Sequence, residues 1–263
     1  MSNASSNPET PQTMPHEPVS SRLPHPLTGF LVTIAVFLGG SIGASFLVSF
    51  IMSVTGGSDT GLLSSDITLQ SVYMAIAYGL MFTGVYTYAR RGKFGLRVFG
   101  VRRVRLVDVG LAILAFMAYI GIYLAAVTAL QSFIPALNVE QKQDIGFDNA
   151  HGLSLLPIFI LLVFLVPFVE ELIMRGVLYS SLRSKLRFSI SAVLTSAIFA
   201  ALHLNGGEAG AGPLWIAAID TFVLSLVLCY LRERTGRIWA GVGLHAIKNS
   251  VAFAALFIFV SNT

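Results

Sequence analysis

The sequence predicts an all-α fold, a polytopic transmembrane helical bundle of about seven spans with room for an eighth. Three observations lead there. Of 263 residues, 55% are hydrophobic and 11% charged, at a mean hydropathy of +0.76. The apolar residues gather in long runs, and the basic residues gather between alternate runs. A soluble domain carries about a quarter charged residues, so this composition excludes an ordinary soluble globule. It excludes a disordered chain as well, and the 24 glycines follow no collagen-like period. The lone Cys229 permits neither a disulfide framework nor a cysteine metal cluster.

A spanning helix needs about 20 apolar residues, and seven runs qualify as candidates. Residues 1–29 are polar, rich in Ser and Pro, and lack the basic and short apolar regions of a removable signal peptide, so they read as a disordered cytoplasmic tail. The first span, 30–54, carries Gly39, Gly40 and Gly43, small residues that suit close helix packing. The second, 67–88, stops at Arg90 and Arg91; the third, 110–134, starts beyond Arg105. The fourth, 155–182, is long for one crossing and must tilt, bend or project. The fifth covers 188–204, the sixth 213–231 and the seventh 238–260. Residues 30–263 thus read as one transmembrane domain.

Charge then sets orientation. Fourteen of the seventeen Lys and Arg residues fall on one side: Arg22, the run from Arg90 to Arg105, Arg183 to Arg187, and Arg232 to Arg237. The opposite connections hold Asp59, Asp66, Glu140, Asp144, Asp148 and Glu208, with Lys142 the sole cation. The positive-inside rule places the N-terminus in the cytoplasm and the C-terminus outside. Trp215 and Trp239, with Tyr86, Tyr88, Tyr179 and Tyr230, fit interfacial aromatic belts. The Arg90 to Arg105 run reads as a solvated loop against anionic lipid, so the lipid bilayer is a partner and nucleic acid is not.

The remaining charges are the informative ones. Glu170, Glu171, Arg175, Asp220 and Lys248 fall within spans, as do His203 and His245. One charge at the bilayer centre costs about 2.5 to 3.5 kcal/mol even on the lenient insertion scale, so such residues mark function or pairing. Counted from the basic anchors at about 1.5 Å per residue, Glu170 lies ~20 Å up, His203 ~24 Å, Asp220 ~18 Å, His245 ~12 Å and Asn249 ~18 Å. They share one layer. Residues four apart share a helix face, which pairs Glu171 with Arg175, Phe199 with His203, and His245 with Asn249. Asp220 matches no motif and reads either as a helix-to-helix hydrogen bond or as a catalytic group, and Lys248 as a cation that snorkels, neutralises a carboxylate or meets substrate.

The segment Glu170-Glu171-Leu172-Ile173-Met174-Arg175 resembles the EExxxR signature of the CPBP (Abi) intramembrane endopeptidases, the family that includes the type II CAAX prenyl endopeptidases. Phe199 to His203 is similar to its FxxxH motif and His245 to Asn249 to its HxxxN motif, in the family's order. Met174 stands where an aromatic residue is common, and Lys248 is unexpected beside Asn249. The resemblance covers about residues 155–260 and implies a protease core among the four C-terminal spans.

On this reading the protein hydrolyses a peptide bond in a membrane-associated or lipidated peptide or protein. The substrate class includes prenylated tails. Glu170, assisted by His203, activates water. His245 and Asn249 donate to the oxyanion, each worth about 3 to 4 kcal/mol when well placed. Glu171 and Arg175 form a supporting ion pair. The resemblance implies the same Glu, His, His and Asn set. Two mechanisms stay open, glutamate catalysis without metal and a zinc enzyme. Zinc would use Glu170, His203 and His245, but HExxH is missing and Asn is a poor zinc ligand, so no metal is the preferred cofactor assignment. Two other functions compete: a non-enzymatic membrane immunity or regulatory partner, and a proton-coupled transporter, for which no repeat or broken-helix pattern is seen.

Overall fold

The computed structural model describes residues 23–55, 66–139, 147, 150–204 and 213–259, and these are helical with connecting turns. Seven helical segments follow in order: α1 (Pro26–Thr55), α2 (Ile67–Arg91), α3 (Leu106–Phe133), α4 (Gly152–Arg183), α5 (Phe188–Ala201), α6 (Trp215–Thr235) and α7 (Trp239–Phe259). Six are long and apolar enough to cross a membrane, and α5 is the shorter seventh. Its 14 residues span about 21 Å, less than the hydrocarbon core of about 30 Å.

Several boundaries differ from the hydropathy reading for local reasons. Helix α1 starts at Pro26, inside the stretch read as tail, because proline is pre-set for a first helical position. Residues 1–22 of that tail lie outside the described residues, as do Asp59, Glu140, Lys142, Asp144, Asp148 and Glu208. Asp66 caps α2 by accepting from the backbone N–H groups of Thr68 and Leu69. Gly236 ends α6 in the left-handed region at φ 63°. The chain leaves α5 after Ala201, so His203 sits in a turn beyond the helix.

Helix α4 has 32 residues, about 48 Å if regular. It contains two π-helical stretches, Leu161–Leu165 and Leu172–Tyr179, on either side of the α-helical Val166–Glu171. Its second half is the core of the molecule. Leu172, Ile173, Met174, Val177 and Leu178 are fully buried with Val85 and Phe99. A second core joins α3, α6 and α7 through Tyr119, Leu224, Leu228 and Leu244. Helices α1 and α2 pair at Gly40 and Gly43, where an added Cβ would come 2.4 Å from Met81 and 3.0 Å from Leu80. Gly40 and Gly43 are therefore packing positions, whereas Gly39 faces open space.

The basic connections meet at one end of the bundle. Arg183 binds Glu233 at 2.8 Å, joining α4 to α6. Arg237 grips Asp108 at 2.6 Å, joining the start of α7 to the first turn of α3. Arg232 donates to the carbonyls of Val98 and Arg175. The segment between α2 and α3 is consequently docked and not simply a solvated loop. Phe99 is fully buried there, stacked on Tyr88 at 6.2 Å, and the Gly100 carbonyl accepts from the Ile238 N–H.

Candidate active site

Glu170 and Glu171 are the last two residues of the short α-helical stretch between the two π segments, about 100° apart around the helix, so the two carboxylates meet different partners. Glu170 is 7% exposed. The Tyr78 hydroxyl of α2 donates to its Oε1 at 2.7 Å. Its Oε2 faces His245 Nε2 of α7 across 3.9 Å. That gap exceeds a hydrogen bond.

Glu171 is held differently. Its Oε1 accepts from Arg175 Nη1 at 2.8 Å, one helical turn on, and lies 3.5 Å from His245 Nδ1. The His245 ring is thus set between the two adjacent carboxylates, one on each nitrogen. Arg175 is fully buried, with its guanidinium 4.7 Å from the Phe199 ring centroid and, among the described residues, no hydrogen-bond partner for Nε or Nη2. Phe199 joins the parts: its ring contacts His203 edge-on at 4.8 Å and His245 at 6.2 Å. Helix α7 approaches so closely that a Cβ on Gly241 would lie 2.8 Å from Glu171 Oε2.

Asn249 lies one turn beyond His245 and donates from Nδ2 to the Leu162 carbonyl at 2.8 Å. His203 donates from Nδ1 to the Phe199 carbonyl at 2.8 Å. The structure therefore brings Glu170, Glu171, Arg175 and His245 together and links His203 to them through Phe199. The imidazole beside Glu170 is His245 and not His203, because His203 has left the helix and turned back onto the Phe199 carbonyl.

Asp220 and Lys248 form a separate site. The Tyr119 hydroxyl donates to Asp220 Oδ1, and Lys248 Nζ lies 3.0 Å from Oδ2. Lys248 neutralises a carboxylate, and Asp220 ties α6 to α3 and α7. Tyr78 went unnoticed in the sequence because α2 carries no motif; its one signal was a hydroxyl in the middle of an apolar run. Among the described residues no three of His, Cys, Asp and Glu are placed together to hold a metal ion.

A model of the family described as type II CAAX prenyl endopeptidase Rce1-like matches residues 152–251. The match starts with α4 and runs into α7, taking in Glu170, Glu171, Arg175, Phe199, His203, His245 and Asn249 and leaving out Tyr78 and Tyr119. It bears out, over those residues, the resemblance read from the three motifs. No curated protein and no solved structure matches the chain.

Proposed function

We propose that this chain, whose residues 152–251 match the type II CAAX prenyl endopeptidase Rce1-like family model, is an intramembrane endopeptidase of the glutamate type acting on a lipidated or membrane-associated peptide. The observation that carries the reading is the state of Glu170: buried among helices, one oxygen fixed by Tyr78 and the other open toward His245 across 3.9 Å. A buried carboxylate with one free, oriented oxygen suits a general base.

In the proposed reaction, Glu170 takes a proton from water as the water oxygen bonds to the scissile carbonyl carbon. The carbonyl oxygen becomes an oxyanion, stabilised by N–H groups of His245 and Asn249. As the C–N bond breaks, Glu170 returns the proton to the leaving nitrogen. His203, on the far side of Phe199, assists through water at the half-buried entrance. Glu171 and Arg175 hold His245 in place and balance charge.

The basic end lies on the cytoplasmic side by the positive-inside rule, with the N-terminus there and the C-terminus outside. The test is mass spectrometry of membrane peptides from cells carrying wild-type or Glu170→Gln protein. The expected result is a substrate cleaved only by the wild type. Identical peptide profiles, or unchanged biological output in the variant, point instead to a non-enzymatic partner.

A further inference from the structure

Pro167 stands three residues before Glu170, just past the first π stretch of α4. In that stretch the carbonyl of residue i receives the N–H of residue i+5, as the Val166 N–H does at the Leu161 carbonyl. The corresponding donor for the Leu162 carbonyl is residue 167, and proline has no N–H. Its α-helical donor, Val166, is engaged at Leu161. A carbonyl left out of the ladder inside an apolar bundle needs a donor from another element. Asn249 supplies it, from α7, at 2.8 Å.

We propose that Pro167 is a positioning residue for Asn249: by withholding its N–H, it reserves the Leu162 carbonyl as the acceptor that fixes the Asn249 carboxamide. The consequence for catalysis rests on the reading of Asn249 as an oxyanion donor. A carboxamide nitrogen carries two N–H groups. With one committed to Leu162, the plane of the amide is set, and the second N–H has a defined direction to offer a substrate oxygen. The proline thus acts at a distance from the reacting atoms, through a single backbone carbonyl.

A double-mutant cycle on the full-length protein in bilayers tests this, comparing wild type, Pro167→Ala, Asn249→Ala and the double variant. The Pro167→Ala substitution restores an N–H for the helix ladder. Asn249→Ala is expected to lower the thermal midpoint by about 3 °C in the wild-type background, where it orphans the carbonyl, and by less than half of that in the Pro167→Ala background. Pro167→Ala is expected to lower kcat on a farnesylated CaaX peptide at least tenfold, with KM within twofold and no loss of thermal midpoint. A purely structural proline would not give that split. Equal midpoint shifts in both backgrounds, or wild-type kcat in Pro167→Ala, overturn the proposal. Coupled midpoints in a wild-type protein that cleaves no probe would sink the endopeptidase reading while upholding the placement of Asn249. Pro167→Val supplies the same N–H with a bulkier side chain and replaces Pro167→Ala in the cycle if that variant fails to insert.

Discussion

The hydroxyl of Tyr78 donates to Glu170 Oε1 at 2.7 Å from a helix that lies outside the residues matched by the family model. The proposed base is therefore oriented from the N-terminal half of the bundle. A hydrogen bond to a charged group contributes about 1.5 to 3 kcal/mol. Tyr78→Phe removes only the oxygen, and it should lower kcat about 10- to 100-fold and lower the thermal midpoint by a few degrees while the protein still inserts. Steady-state kinetics beside a thermal scan check this.

Arg175 and Glu171 form a fully buried pair. Removing one partner strands the other charge, at a cost of about 3 to 5 kcal/mol, whereas removing both is often close to neutral. Arg175→Met should therefore destabilise the protein strongly, and Glu171→Leu added to it should recover most of the loss. Denaturation midpoints of the single and double variants decide the point.

At Gly241, α7 packs closely against α4. A Cβ there would stand 2.8 Å from Glu171 Oε2 and 3.3 Å from Leu228 Cδ2. Gly241→Ala should push α7 away, costing about 1 to 3 kcal/mol by overpacking, and should reduce cleavage because His245 lies on the displaced turn. Thermal midpoint and activity are expected to fall together.

Lys248 answers to Asp220 and not to the carboxylates of the site. Lys248→Met is expected to lower the thermal midpoint but keep kcat within a few-fold of wild type. A loss of cleavage as large as that of a His245 variant would place Lys248 in the chemistry.

Much of this architecture is legible in the sequence because its determinants are local. Apolar run length marks the helices, and clustered arginines mark the end that Arg183, Arg232 and Arg237 hold together. The i, i+4 spacing foretells the Glu171–Arg175 pair and the Phe199–His203 contact. Relationships between helices are not local, and there the sequence is silent. Tyr78 meets Glu170 across 92 residues, and no periodicity encodes that meeting. The neighbour of Glu170 is His245 because α5 ends early and returns His203 to its own helix, a boundary effect of a few residues. Phe99 looks like part of a charged loop by composition, yet its ring is buried because Gly100 and Arg232 pin the segment to the bundle.

The central claim is that Glu170 delivers water to a peptide bond. Single-turnover cleavage of a farnesylated CaaX peptide in ¹⁸O-labelled water by the full-length protein in vesicles measures this directly. The wild type should place one ¹⁸O atom in the new C-terminal carboxylate, and Glu170→Gln, inserted and folded, should give no product. A Glu170→Gln protein that still forms the labelled product contradicts the account.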